Sequence, residues 1–296
     1  MSIQFSNNRL WRRFSLVTAV ACVAAVGVFS GCMTGSHSGK GKLGLQLYSL
    51  RAQLGASMSA LDEVRNWGIK YVELAGTYKK TPEQFKAELD KRGLVAVSGH
   101  FSFEEWSRDP ETVLAQAEKL GLKYVGVAWI PHGDKFDEAT CRKAAKVFNH
   151  AGELAARHHM VFFYHTHGYE FVPFENGTLF DLLLKETDPN LVKLEMDIFW
   201  IAHAGQDPVK LLEAHPDRFE LMHVKDMRKS TETGLATGHS DVRNDVAMGE
   251  GKLPLPEILE AGKRIGIKYY FIEDESPSSE QQIPQSVAYL EKYLQK

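Results

Sequence analysis

The stretch Val161–Phe171, VFFYHTHGYEF, starts as an apolar strand and ends with His165, His167 and Glu170 within six residues. Successive side chains of a strand point to opposite faces, so His165 and His167 share one face. Two polar groups on one face of a buried strand need partners, or they form a site.

The same pattern recurs on both sides of this stretch. LGLQLYSL, YVELA, VAVSGH and YVGVAW precede it, and VKLEMD, FELMHV and YYFIED follow. Helical stretches lie between them. SMSALDEVRNWG has apolar residues three and four apart and a closing glycine, and TPEQFKAELDKRG has a threonine cap, a first-turn proline and a glycine stop. DEATCRKAAKVFNHAGELAARH is long and alanine-rich, and DPVKLLEAH, LPEILEAGKRIG and SVAYLEKYLQK continue the series. Eight strand–helix units between Lys42 and Lys296 predict a (β/α)8 TIM barrel, a fold of typically about 250 residues. An open doubly wound sheet is the alternative, weakened by the lack of a Gly-rich turn after the first strand.

Residues 1–41 read differently. Arg9, Arg12 and Arg13 precede the uncharged run FSLVTAVACVAAVGVFSGC, which predicts an export signal over 1–31. The small residues before Cys32 resemble the lipobox of bacterial lipoproteins, which implies lipidation of Cys32. A plain signal peptide and an uncleaved anchor are the alternatives. Residues 32–41 then form a flexible tether ahead of a barrel over 42–296. The expected location is outside the cytoplasm, lipid-anchored to a bacterial membrane and facing the periplasm. Only Cys141 remains in the barrel segment, which excludes a disulfide or a cysteine metal site there. A net charge of −3 over 296 residues argues against nucleic acid as partner.

Barrel enzymes work at the C-terminal ends of their strands. Here those ends carry Gln46 and Tyr48, Glu73, His100, Trp129, then His165, His167 and Glu170. Glu195 and Asp197, His223 and Lys225, and Glu273 and Glu275 complete the ring. Glu170, Asp197, His223 and Glu273 come from consecutive strands and can converge on the axis. Three acids crowded together repel unless a cation neutralises them. Three carboxylates and one imidazole suit Mn²⁺ first, with Mg²⁺ or Co²⁺ as alternatives. A histidine in place of Glu170, or Glu275 in place of Glu273, stays open at this point.

The motifs LGLQLYSLR, YVELAG, YHTHGYEF, EMDIFWIAHAGQDP, HVKDM, GEG and FIEDE occur in this order. In that order they resemble the sugar phosphate isomerase/epimerase family, the xylose-isomerase-like TIM barrels that include inosose dehydratases and ketose 3-epimerases. The resemblance implies one divalent ion held by Glu170, Asp197, His223 and Glu273. It also implies Glu170 and Glu273 as the base and acid that exchange a proton.

The expected reaction is proton abstraction beside a sugar carbonyl, through a metal-stabilised enediolate, giving isomerisation or epimerisation. Hydratase or lyase chemistry on a keto-sugar or 3-keto-glycoside is the first alternative, and a non-catalytic sugar-binding lipoprotein the second. His165 and His167 are expected to bind substrate or shuttle a proton, and Lys225 to stabilise negative charge. Glu73, His100, Trp129 and Trp200 are expected to contact substrate. The polar segment from Lys225 to Lys252 is long enough to cover the site. Export favours a non-phosphorylated sugar. A homo-oligomer is left open. Apurinic endonucleases share the fold but place a histidine three residues after the strand-six aspartate, where this chain has Trp200.

Overall fold

In a computed structural model, which describes residues 41–294, the eight apolar runs close into one barrel of parallel strands. The strands are β1 (Lys42–Gln46), β2 (Tyr71–Leu74), β3 (Val95–His100), β4 (Tyr124–Val127), β5 (Val161–His165), β6 (Val192–Asp197), β7 (Phe219–Val224) and β8 (Tyr269–Ile272). Each pairs with its neighbours in sequence, and β8 closes on β1 with Lys42 opposite Tyr269. The expected export signal and Cys32 lie outside the described residues. Among those described, no helix is long and apolar enough to cross a membrane.

Local chemistry sets the element ends. The helix Pro82–Lys91 starts at Thr81, whose side chain accepts from Gln84 N while the Gln84 side chain returns to the Thr81 N–H. β1 stops earlier than its apolar run because Gln46 Oε1 accepts the Tyr48 N–H at 3.0 Å and turns Leu47–Leu50 into a 3-10 helix. Helices Pro110–Leu120 and Leu179–Glu186 were not among the sequence-derived ones. Both start at side-chain caps, Asp109 and Thr178, that fit the rules used for the others.

The lower half of the barrel interior is an apolar plug of Val97, Tyr124, Phe163, Leu221, Tyr269 and Phe271. Two inward glycines make room for it. A Cβ on Gly44 would lie 2.5 Å from Phe271, and one on Gly126 2.6 Å from Phe163. Above this plug the inward residues turn polar, so the site has a dry floor and a wall of backbone hydrogen bonds. The register slips at two places, between Val72 and Glu73 against β3 and between Leu194 and Glu195 against β7. At the first slip Val97 still packs in the plug while Ser98 and His100 reach the polar layer.

Candidate functional site

The polar residues above the plug form two tiers. The lower tier is built on Glu73 and Glu195, both fully buried. Glu73 accepts from Gln46 Nε2 at 2.7 Å and from Ser98 Oγ, and its Oε1 lies 2.6 Å from His223 Nε2. Glu195 Oε2 lies 3.1 Å from His100 Nε2, 3.2 Å from His165 Nδ1 and 3.2 Å from His223 Nε2. Burial raises the Glu195 carboxyl to about 7, helped by the neighbouring Glu73 charge. Burial pushes Glu73 upward as well, but His100 and His223 outweigh it and hold Glu73 below the usual carboxylate range.

The upper tier holds Asp197, His223 Nδ1, Glu273, Lys225 and Glu275. His223 Nδ1 is 3.1 Å from Glu273 Oε2 and 3.7 Å from Asp197 Oδ2. His165 Nε2 is 3.9 Å from the same Asp197 oxygen. The other Asp197 oxygen caps the following helix, accepting from Phe199 N and Trp200 N at 2.8 and 3.0 Å. Asp197 Oδ2 is buried and accepts no hydrogen bond. The Lys225 ammonium fills part of this region, 2.8 Å from Glu273 Oε2, 3.2 Å from Glu275 Oε1 and 3.3 Å from Asp197 Oδ2. Burial opposes the charge on Lys225, yet the three carboxylates outweigh it and raise its pKa.

These residues fit a divalent cation. His100, His165, Glu195 and His223 bring donor atoms within 4.8 Å of one another, as do Asp197, His223 and Glu273. Asp197 Oδ2, which accepts no hydrogen bond, is the Asp197 oxygen on the side of His223 and Glu273. His223 is drawn toward protonation because Glu195, Glu273 and Glu73 outweigh its burial. A cation beside Nδ1 substitutes for that proton.

Glu170, the expected ligand and proton-exchanging carboxylate, belongs to neither group. Gly168, at φ 90°, opens a turn into the 3-10 helix Tyr169–Phe171, which carries Glu170 off the strand direction. Its Oε1 accepts from the Tyr164 hydroxyl and, at 3.0 Å, from His167 N. Burial raises its pKa. Glu170 therefore ties down the turn that carries the two histidines. His165, the last residue of β5, is the side chain that faces the cluster.

A cavity of about 620 Å³ opens above the tiers, lined by His100, His165, His167, His223, Glu273 and Glu275 on its polar side. Phe101, Phe103, Trp129 and Pro131 form an apolar wall. His167 directs Nδ1 to the Ala128 carbonyl at 3.1 Å, which leaves Nε2 bare, and burial lowers its pKa to about 4. Two expected substrate contacts, Glu73 and Trp200, and the expected charge-stabilising Lys225 lie off the cavity. Glu73 is sealed below the cavity by the partners that neutralise it. Trp200 is 6% exposed and stacks behind His167 at 5.0 Å, so it backs a site residue instead of touching substrate. Lys225 lies beneath the carboxylates it pairs with, outside the cavity lining.

The segment from Lys225 to Lys252 also departs from expectation. None of its residues lines the cavity above the two tiers. It forms a ribbon, Asp226–Met227 with Asp245–Val246, and packs Gly238 and His239 against Trp129. It buttresses the apolar wall.

Glu195, Ser98 and the Phe101–Glu104 segment received no role from the sequence. Glu195 carried a usable signal, since it lies two residues before Asp197 on the same face of β6.

A family model described as Xylose isomerase-like TIM barrel matches residues 61–293. The inosose dehydratase of Clostridium botulinum (strain Alaska E43 / Type E3) is 27% identical over 189 residues, 57% of this chain and 63% of that protein. The match thus spans less than two thirds of that relative's length. The inosose dehydratase of Geobacillus kaustophilus (strain HTA426) is 26% identical over 216 residues, 66% of this chain and 70% of that protein. A crystal structure from Parabacteroides distasonis ATCC 8503, described as a sugar phosphate isomerase/epimerase, superposes with a TM-score of 0.67 at 26% identity. It covers 85% of this chain and 98% of that one.

Proposed function

The chain belongs to the xylose isomerase-like TIM barrel family, and from that premise we propose that it is a metal-dependent dehydratase or lyase of keto-sugars. The reaction removes a proton from the carbon beside a carbonyl and expels an oxygen substituent from the next carbon. The C–H electron pair becomes the new C=C bond, the C–O pair leaves with the oxygen, and that oxygen takes a proton. The products are an unsaturated ketone and water or an alcohol. The observation that carries this reading is the position of Glu170. Exchange of a proton between two faces, as epimerisation requires, uses a carboxylate on each flank. With Glu170 turned into the Tyr164 contact, the β5 flank offers imidazoles and the β8 flank offers Glu273 and Glu275.

A divalent cation held by Asp197, His223 and Glu273 would polarise the substrate carbonyl and acidify the neighbouring C–H. The protein groups supply the rest. Burial raises Glu273, but Lys225 and His223 outweigh it and hold the carboxyl well below its ordinary range, so it is ionised and serves as base. Glu275 lines the cavity on the same flank, its pKa raised by burial, and would be the group that hands a proton to the departing oxygen. His167 Nε2 accepts a substrate hydroxyl. Trp129 and Phe103 give the sugar an apolar face to rest on.

The lining includes Glu104, Glu273 and Glu275 and, among the described residues, no Arg or Lys. That charge pattern disfavours a phosphate and supports a non-phosphorylated substrate. Export and an anchor at Cys32 belong to the same proposal, checked by the mass of the mature N-terminus in a membrane fraction. A sugar isomerase or epimerase is the second reading, favoured by the description of the Parabacteroides structure.

The test is incubation of metal-loaded protein with keto-inositols and keto-glycosides in D₂O, followed by NMR and ultraviolet absorbance. Appearance of an unsaturated ketone supports elimination. Deuterium in recovered or epimerised sugar without elimination would establish the second reading. Neither product across the panel would leave a binding protein.

A further inference from the structure

We propose that His165 supplies the fourth ligand of the metal site, so that the cation is held by two imidazole nitrogens and two carboxylate oxygens. This rests on the reading above that a divalent ion binds here. It departs from the three-acid set that the motif order implies, and it moves the preferred ion from Mn²⁺ or Mg²⁺ toward Zn²⁺ or Co²⁺.

Both imidazoles are oriented by carboxylates below them. His165 Nδ1 lies 3.2 Å from Glu195 Oε2, so its N–H donates there and Nε2 keeps a lone pair. His223 is turned the opposite way. Its Nε2 donates to Glu73 Oε1 at 2.6 Å, and Nδ1, 3.1 Å from Glu273 Oε2, is the nitrogen where a cation would take the place of a proton. The two rings lie 4.4 Å apart, and His165 Nε2 and His223 Nδ1 lie 3.9 and 3.7 Å from Asp197 Oδ2, which accepts no hydrogen bond and has Lys225 Nζ at 3.3 Å. A carboxylate behind a histidine fixes its tautomer and raises its basicity as a ligand.

The lower group of His100, His165, Glu195 and His223 is the competing place for the ion. There His165 would have to use Nδ1 and His223 Nε2, the nitrogens that the buried carboxylates already hold. Ions in both places would make each ring a bridge stripped of both protons. The upper site asks for one lone pair per ring and keeps both lower hydrogen bonds.

Imidazole nitrogen suits Zn²⁺ and Co²⁺, whereas Mg²⁺ prefers an all-oxygen shell. The affinity order alone is a weak test, since most sites follow it. The change on substitution is the informative quantity. Chelator-stripped protein is titrated with Zn²⁺, Co²⁺, Mn²⁺ and Mg²⁺ separately by calorimetry. His165→Gln is expected to weaken Zn²⁺ by more than about 100-fold, beyond the about 10–100-fold typical of losing an outer partner. His165→Glu is expected to narrow the Zn²⁺ to Mn²⁺ ratio by at least about tenfold, since it restores an oxygen donor. Glu170→Gln is expected to bind as the wild type does.

Pulsed EPR of the Mn²⁺-loaded wild type needs no variant, and it should show couplings from two imidazole nitrogens. One nitrogen, or loss of the ion in Glu170→Gln with His165→Gln unaffected, would overturn the assignment and leave the metal-enzyme reading standing. A chain that binds none of the four ions would overturn both.

Discussion

Asparagine at position 226 should be nearly as damaging as alanine, although it matches aspartate in shape. Asp226 is 1% exposed, and both oxygens are in use. Oδ1 accepts from Met227 N at 2.7 Å and Leu253 N at 3.1 Å, and Oδ2 accepts from Gly249 N at 3.0 Å and Gly251 N at 2.9 Å. Four backbone donors converge on one carboxylate, and their chain closes tightly around it, since a side chain on Gly251 would run into the Asp226 carboxylate. In asparagine one oxygen becomes an NH₂ group. Whichever way the amide turns, two backbone N–H groups then face a donor. Each buried donor left unpaired costs about 1–3 kcal/mol, so Asp226→Asn should lose about 2–6 kcal/mol in all. Asp226→Ala strips all four donors but opens space for a water, and should fall in the same range of about 2–6 kcal/mol. Urea denaturation at a shared m value measures both. Lys225 precedes Asp226 on the same chain, so both variants should also bind divalent ions more weakly. If Asp226→Asn stays within about 1 kcal/mol of wild type while Asp226→Ala does not, shape and not acceptor count holds this turn.

Lys225→Met should raise divalent-ion affinity by at least about tenfold, because it removes a like charge about 4 Å from the site at an effective dielectric of about 20. Weaker binding by calorimetry would show that the ammonium organises the carboxylates instead of competing for them. Stripping the ion with a chelator should lower the melting temperature, and restoring it at a hundred times its Kd should return about 2.7 kcal/mol. A scanning-calorimetry trace indifferent to the ion would count against the site. The pH dependence at Glu170 follows from its raised pKa. The stability it contributes is present below the ordinary carboxylate range and fades as pH rises through the raised folded value. Glu170→Gln cannot titrate, so urea midpoints at low and neutral pH should shift in its favour as pH rises, and a shift the other way would show the carboxylate is stabilised as an anion.

The fold was readable because a barrel repeats one local rule eight times. Each strand runs apolar and ends polar, and a strand's period of two keeps residues such as Glu195 and Asp197, or His223 and Lys225, on one face without knowledge of their partners. What was not readable lay where that period ends. Beyond His165 the chain leaves β5, and Gly168 at positive φ sends the next residues into a 3-10 turn. Counting along the sequence then places an acid near the site, where the backbone has already carried it into the contact with Tyr164. The same limit explains Trp200. It sits three residues past the end of β6 on the helix Ile198–His203 that Asp197 caps, and helical geometry swings it behind His167. Glu73 fails for a different reason. Its face was right, but how deep a side chain lies depends on the tilt and stagger of all eight strands, which no single strand encodes. Asp197 and His223, which the structure brings together, are still inside their strands. Glu273 is the boundary case, one residue past β8, kept in register by its N–H on the Val224 carbonyl at 3.3 Å. Glu170 has no such bond to a neighbouring strand, and a barrel gives a residue after the strand end no position unless something else holds it there.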